Sequence, residues 1–164
     1  MAILVCQTPM LTQLDDNLAK VYEKASMKAK DLTVLRRNQD DWEKKDRDEC
    51  WKADDKTLCV QQSYRHRIAE LQAQYVLIKP QRELAAVCDG NPGNNLKLQY
   101  FNTHPAALAV QRHNQRAVLF KKSVASGSLY QNSQISISEQ AHQLAVVWGS
   151  GAQAVHCITK NASH

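Results

Sequence analysis

The chain has 164 residues, of which 43% are hydrophobic, and its 21 basic and 16 acidic side chains give a net charge of +5. This length suits one ordinary domain or two small ones, and the hydrophobic fraction excludes a chain that is disordered throughout. No apolar stretch approaches the roughly 20 residues of a membrane-spanning helix, so the sequence predicts no transmembrane segment. The basic residues are scattered and no aromatic stacking platform accompanies them, which argues against a nucleic-acid partner.

Charge and glycine are distributed unequally along the chain. Residues 1–80 hold 14 basic and 13 acidic side chains and no glycine, whereas residues 81–164 hold 7 basic and 3 acidic side chains and all five glycines. This difference predicts two small domains, 1–80 and 81–164, that meet near Lys79-Pro80. We expect an α+β fold class, in which an N-terminal three-helix module precedes a small antiparallel eight-stranded β-barrel.

Apolar residues at helical spacing predict three helices in the first half. The first begins at Thr8-Pro9, as an N-cap followed by proline, and the second begins after Asp31, another good N-cap residue. The third is expected over 57–78 and is ended by Pro80. The charged stretch 40–56 is interpreted as a solvated face and turn. The apolar stripe of the first helix consists of Leu11, Leu14, Leu18, Val21, Tyr22 and Ala25. The second helix carries Leu32, Leu35 and Trp42, and the residues predicted to point inward in the third are Leu58, Tyr64, Ile68, Leu71 and Tyr75.

The five cysteines include no C-x-x-C pair, so neither a zinc ribbon nor a thioredoxin-like site is supported. Cys50 and Cys59 lie close together, and Cys88 and Cys157 stand near the two ends of the second half. This layout predicts one local and one long disulfide, with Cys6 as the odd thiol. Two disulfides imply an oxidising compartment. The alternative is five buried free thiols in a cytosolic protein.

Residues 6–71 contain Cys6, Leu14-Asp15-x-x-Leu18-x-x-x-Tyr22, Gln39-x-x-Trp42, Cys50 and Cys59-Val60-x-x-x-Tyr64-x-x-Arg67-Ile68-x-x-Leu71. This order resembles the LprI-type N-terminal domain, an exported bacterial helical module whose family takes its name from a lysozyme inhibitor. One departure concerns an arginine that usually sits one turn after the tryptophan, where this chain has Asp46 with Arg47 beside it. The resemblance implies a fold and a compartment more than an activity.

The first five residues are apolar, but they lack a charged start and are too short for a signal peptide. If the protein is exported, we expect its signal segment to be absent from this sequence. The expected location is then periplasmic or associated with the outer membrane.

Short apolar or alternating runs separated by turn residues predict seven or eight strands in the second half. Strands at this spacing are typical of a small antiparallel barrel or sandwich. A disulfide between Cys88 and Cys157 would join the first strand to the last. The predicted strands are 84–88, 96–101, 106–110, 117–121, 135–137, 144–148 and 154–158, with 129–130 as a candidate eighth.

The second half offers little for catalysis or cofactor binding. Gly149-Ser150-Gly151 after an apolar run imitates a dinucleotide fingerprint, but the helix, second strand and acidic residue that should follow are not found. Ser126-Gly127-Ser128 lacks the earlier glycine of a nucleophile elbow. We therefore predict no enzyme activity, no cofactor and no metal site. A hydrolase would have to use the only carboxylates of this half, which are Glu83, Asp89 and Glu139.

Four short sequence elements follow one another along the second half. They are Cys88-Asp89-Gly90, Ala125-Ser126-Gly127-x-x-Tyr130, Trp148-x-x-Gly151-x-x-Ala154 and Cys157. They resemble the opening strand, the S-G-x-x-Y signature, the W-x-K-G-x-x-A segment and the closing cysteine of the MliC/PliC family, bacterial inhibitors of C-type lysozyme. The resemblance covers about residues 84–158.

This resemblance implies an eight-stranded barrel whose serine-bearing loop enters the lysozyme cleft. C-type lysozyme works with one protonated and one ionised carboxyl group, and a hydroxyl both donates and accepts, so Ser126 suits both. Gly127 would permit the turn, and Tyr130 would support the loop or line the contact. The implied lysozyme-binding residues are Ser126, Gly127, Tyr130, Trp148, Ser150 and Gly151.

Two features weaken this expectation and keep a second one open. The family has a lysine where this chain has Ser150, and Lys121 and Lys122 near the first loop are candidates to supply the missing charge. C-type lysozymes are generally basic, so the net charge of +5 makes long-range steering repulsive. The alternative is an exported envelope binding or adaptor protein that has kept the barrel but lost inhibition. Its candidate partner is an anionic cell-envelope polymer.

Overall fold

A computed structural model of the chain describes residues 1–161, and residues 162–164 of the predicted second domain lie outside this range. The chain divides into two compact units, Met1–Leu77 and Ile78–His164. The first unit is helical and the second is a closed antiparallel β-barrel. The predicted α+β fold class is therefore confirmed.

Within residues 1–77 the structure has one α-helix more than predicted. Asp31 caps α3 as expected, because its side chain accepts hydrogen bonds from the backbone N–H groups of Thr33 and Val34. Thr8 precedes α2 with proline at its first position, but the threonine side chain makes no capping hydrogen bond. The additional helix, α1, has only six residues, too few to show a helical period. The helices are α1 (Ala2–Gln7), α2 (Pro9–Lys28), α3 (Leu32–Trp42) and α4 (Lys56–Gln74).

The prediction of a turn over 40–56 is wrong, because most of this stretch is helical. A π-helical turn, Glu43–Arg47, follows α3 and leads into a 3₁₀-helix, Asp48–Lys52. Opposite charges along this stretch are spaced for helical pairing, as in the ion pair of Asp41 with Lys45 at 2.8 Å.

The π-helical turn also places Arg47 beside Trp42. A π-helix closes i→i+5 hydrogen bonds, so a residue five positions after Trp42 comes to lie near its ring. The Arg47 guanidinium is 5.6 Å from the centroid of the Trp42 ring.

Helix α4 ends at Gln74, before the predicted end at 78. Val76 adopts a left-handed conformation, φ 48°, and the N–H of Leu77 donates to the carbonyl of Gln72, which closes the helix end. Pro80 is therefore not the terminator. Leu58, predicted to point inward, is 46% exposed because it lies in the first turn of α4.

The core of the helical unit centres on Tyr64, which is fully buried. Its hydroxyl donates to the carboxylate of Asp15 at 2.8 Å. Burial, reinforced by this hydrogen bond, raises the pKa of Tyr64 to about 12. The predicted disulfide between Cys50 and Cys59 is present and joins the 3₁₀-helix to α4.

The barrel unit has its eight strands in chain order, with β1 paired to both β2 and β8. Every predicted strand is present, including the eighth. The second begins earlier than predicted, at Asn91, because Asp89 and Gly90 alone make the turn, with φ of 50° and 64°. The strands are β1 (Arg82–Cys88), β2 (Asn91–Phe101), β3 (Ala107–Arg112), β4 (Gln115–Lys122), β5 (Ser128–Gln131), β6 (Ile135–Gln140), β7 (Gln143–Trp148) and β8 (Val155–Asn161).

Alternation along the strands fills the barrel with apolar side chains. Cys88 and Cys157 face each other in the ladder between β1 and β8 and form the second predicted disulfide. Fully or almost fully buried residues of this core include Leu98, Leu108, Leu119, Ile137 and Leu144.

An up-and-down barrel alternates its connections between two ends. The connections at 102–106, 123–127 and 141–142 lie at one end, here called the Ser126 end. The connections at 89–90, 113–114, 132–134 and 149–154 lie at the other, here called the disulfide end because Cys88 closes β1 there. Strand β7 alone has six residues, so about 20 Å separates the ends.

Candidate functional site

The exposed loop 123–127 carries Ser126 between β4 and β5. Gly127 closes it with φ 68°, a conformation that favours glycine. A Cβ atom at Gly127 would lie 2.4 Å from the backbone carbonyl oxygen of Glu139, so a side chain there would collide with β6. The loop therefore packs directly against the end of β6. Both the positive φ and this close contact favour glycine at position 127.

The neighbour of Ser126 is the turn between β6 and β7. The side-chain amide of Gln140 donates to the Ser126 hydroxyl oxygen over 3.4 Å, a long hydrogen bond. Ala141 follows with φ 53°, a left-handed conformation that costs an alanine free energy. Gln140 and Ser126 thus present an amide and a hydroxyl side by side at the Ser126 end.

A groove of about 380 Å³ runs beside the loop along the outer face of the barrel. Its floor follows one row across the sheet, because Leu129 pairs with Ser138, Ser138 with Ala145 and Ala145 with His156. Ser126 contributes to its wall, and no lysine or arginine is among the residues that line it. Glu139 is the acidic residue among those that line the groove, and the groove is large enough for part of a ligand or a partner side chain.

Beneath the loop, a polar cluster closes the barrel. The Glu139 side chain, 11% exposed, accepts hydrogen bonds from the Tyr100 hydroxyl at 2.8 Å and from Arg82 Nη2 at 3.0 and 3.1 Å. The Arg82 guanidinium stacks 4.0 Å from the centroid of the Tyr100 ring. Burial, with the hydrogen bond to Glu139 adding to it, raises the pKa of the Tyr100 hydroxyl well above its usual value.

Tyr130 belongs to the interior of this end. It is 8% exposed and meets the Tyr100 ring edge-on, with 5.6 Å between the ring centroids. Of its two predicted roles, the geometry suits support of the loop from within. It leaves little of the ring to line a contact.

The second predicted loop lies at the opposite end of the barrel. Trp148 ends β7 at the disulfide end, where the Arg112 guanidinium lies 4.2 Å from a Trp148 ring centroid, and Ser150 and Gly151 follow in the next turn. Ser126 and Ser150 therefore do not form one surface. The matching residues were in the right order along the chain, but three strands separate the two loops, and an odd number of strands places their loops at opposite ends.

The two candidate lysines lie at the Ser126 end. Lys122 pairs with Leu129 and so shares the outer face beside the groove, because directly paired residues point to the same side of a sheet. Lys121 pairs with Tyr130 at the rim of the barrel. Both are exposed. They are the cations adjacent to the serine loop along β4.

Residues 87–156 match the model of a protein family described as MliC, membrane-bound lysozyme-inhibitor of c-type lysozyme. The match supports an MliC lysozyme-inhibitor domain there. It lies within the barrel unit and does not extend to the helical unit. No curated protein and no solved structure matches the chain significantly.

Sequence reasoning missed the partners of Ser126 within this MliC-type domain. Gln140 and Ala141 carry no motif, and Arg82 and Glu139 lie 57 residues apart in the chain. Counting strands from the S-G-x-x-Y motif would have found Gln140, because one hairpin returns the chain to the same end of a barrel.

Among residues 1–161 the structure shows no cluster of side chains that could hold a metal ion. Over the same range it has no helix that is both long and apolar enough to span a membrane.

Proposed function

We propose that the chain is a proteinaceous inhibitor of C-type lysozyme that inserts the Ser126-Gly127 loop into the active-site cleft. The observation that carries the proposal is the construction of this loop. It is exposed, it ends at a glycine where any side chain would collide with the backbone of β6, and it lies within the MliC-type domain. A loop seated on a barrel end in this way loses little conformational entropy on binding.

The chemistry of the loop suits the target. The Ser126 hydroxyl can accept from the protonated catalytic acid of the lysozyme and donate to its ionised carboxylate. The Gln140 amide beside it adds a second neutral donor. In this proposal Gln140 takes the second contact, which the sequence assigned to Ser150. Lys121 and Lys122 supply local positive charge toward the carboxylates.

A second candidate function is that of an exported envelope adaptor that has kept the barrel but lost inhibition. Two observations favour it. The groove beside Ser126 is lined by no lysine or arginine, and Ser150, which replaces the expected lysine, lies at the other end. Its candidate partner is an anionic envelope polymer, recognised through the net charge of +5.

The proposed location is the cell envelope, periplasmic or associated with the outer membrane. The two disulfides are typical of an oxidising compartment, and the matched family is described as membrane-bound. For the helical unit we propose an LprI-type domain that assists or anchors the barrel. The π-helical turn that carries Arg47 to Trp42 supports this assignment.

The test is a titration of the full chain into a C-type lysozyme that is clearing bacterial cell walls. Inhibition that Ser126→Ala weakens and Ser150→Ala leaves intact supports the proposal. No inhibition at micromolar protein, with both disulfides verified, removes it for that lysozyme. Salt-sensitive binding to peptidoglycan or lipopolysaccharide would then support the adaptor. Clearing of cell walls by the chain alone would overturn the prediction that it is not an enzyme.

A further inference from the structure

The Ser126 loop packs against β6 at Glu139, and the Glu139 side chain is hydrogen-bonded to residues of two other strands, β1 and β2. Glu139 pairs with Ser128 in the ladder between β5 and β6, and its carbonyl is the atom against which Gly127 packs. Its carboxylate is bound by Arg82 of β1 and Tyr100 of β2. The residue whose backbone supports the loop is therefore the one whose side chain is anchored to β1 and β2.

The charge of this cluster matters as much as its geometry. Two carboxylates lie at the end of the barrel that presents Ser126. Glu83 is exposed near the start of β1 and accepts a hydrogen bond from Gln99, whereas Glu139 is largely buried beneath the loop. Arg82, with a side chain 49% exposed, neutralises the Glu139 carboxylate and covers the Tyr100 ring. Without Arg82, a largely buried carboxylate would lose its counter-charge.

We propose that Arg82 and Glu139 are positioning residues for the Ser126 loop, and that Arg82 neutralises the carboxylate that lies directly beneath this loop. The second part rests on the proposed function, because it matters when the partner brings carboxylates to the loop. A carboxylate freed by loss of Arg82 would repel those groups. Neutralising Glu139 in the same molecule would remove the repulsion.

The experiment compares Arg82→Met, the double variant Arg82→Met/Glu139→Gln and a matched control, Arg112→Met. The control removes an arginine that stacks on an aromatic ring at the disulfide end. Amide hydrogen exchange of Ser128–Gln131, the strand that follows the loop and pairs with β6, and of 149–152 is measured by NMR, together with inhibition of a C-type lysozyme and thermal unfolding.

We expect Arg82→Met to speed exchange in Ser128–Gln131 about tenfold, to leave 149–152 unchanged and to weaken inhibition about tenfold. The double variant should recover inhibition at least threefold over Arg82→Met, which a merely structural role for Arg82 would not produce. The control should change neither the exchange of Ser128–Gln131 nor inhibition.

Unchanged exchange of Ser128–Gln131 in Arg82→Met overturns the positioning role, and a double variant no better than Arg82→Met overturns the charge role. If Arg82→Met does not fold, Tyr100→Phe replaces it, since it removes only the hydroxyl bound to Glu139. It should speed exchange of Ser128–Gln131 about threefold, and no change would again overturn the positioning role. If the unaltered chain fails to inhibit lysozyme, the proposed function fails while the exchange measurement still decides the positioning role.

Discussion

The two ends of the barrel are closed by different chemistry. At the disulfide end, Cys88 and Cys157 join the first and last strands covalently. At the Ser126 end, a hydrogen-bonded cluster around Glu139 joins β1, β2 and β6 beneath an exposed loop. The disulfide end thus secures the barrel seam, and the Ser126 end holds the loop for which we propose recognition of lysozyme. Stability and recognition are therefore expected to separate along the barrel.

Glycines at the two ends show the same contrast. Gly127 and Gly151 have nearly equal φ angles, 68° and 72°. A Cβ atom at Gly127 would meet a backbone carbonyl at 2.4 Å, whereas one at Gly151 would meet nothing within 4 Å. The same conformation is thus a packing requirement at one end and a local preference at the other.

The largest expected effect is on stability, at the disulfide end. Cys88→Ala/Cys157→Ala opens a loop with a sequence separation of 69 residues, and the chain-entropy model assigns such a bridge about 4 kcal/mol. Urea unfolding of the barrel should show a loss of about 2–4 kcal/mol. Under conditions where the variant is still folded, inhibition should stay within about twofold, because the Ser126 end is intact. Weakened inhibition by the folded variant would mean that the ends are coupled.

The next largest effect is on inhibition, and it should differ between alanine substitutions at Gly127 and at Gly151. Gly127→Ala should weaken inhibition about 100-fold, because the loop must leave its seat on β6 to escape the collision with the Glu139 carbonyl. Gly151→Ala should cost about 1 kcal/mol of stability and leave inhibition unchanged. Titration into lysozyme and urea unfolding of both variants measure this. Equal losses of inhibition would contradict the assignment of recognition to one end.

Separate replacement of Ser126 and Ser150 by alanine compares the two ends of the barrel more finely. Ser126→Ala removes a hydroxyl proposed to bond to carboxyl groups, and hydrogen bonds to charged groups contribute about 1.5–3 kcal/mol, so inhibition should weaken at least tenfold. Ser150→Ala at the disulfide end should change it less than twofold. Titration of both variants into lysozyme measures the two effects on inhibition. A larger effect at Ser150 would restore the surface that the sequence motifs indicate and reject the one that the barrel topology indicates.

Much of the fold was predictable because local patterns dictated it. Alternation found every strand of the barrel, and Asp31 marked the start of α3. The errors fell where several weak signals compete. Lys and Glu residues suit both a solvated turn and a helix, so 43–52 was misjudged, and Val76 closes α4 in a conformation that its side chain does not favour.

The site was harder to predict because it depends on whether the number of strands between two loops is even or odd. Ser126 carries a motif, but only loops separated from it by an even number of strands lie at the same end of the barrel. Trp148-x-x-Gly151 matched a pattern and lies at the wrong end to join it, whereas Gln140 matched none and lies beside Ser126. Residue types and spacing thus indicate which loop is special, and only the strand order shows what surrounds it.

The smallest expected effect concerns the turn that supports Gln140. Ala141 has φ 53°, so Ala141→Gly should relieve strain and stabilise the barrel by about 1 kcal/mol, and inhibition should stay within twofold. His142→Gly, one position on and without a positive φ, should instead destabilise it, because glycine adds entropy to the unfolded chain and gains nothing in the fold. Urea unfolding of the two variants measures the difference. The opposite order would show that the turn beside Ser126 is not held left-handed at Ala141, and Gln140 would then lack a fixed position next to the serine.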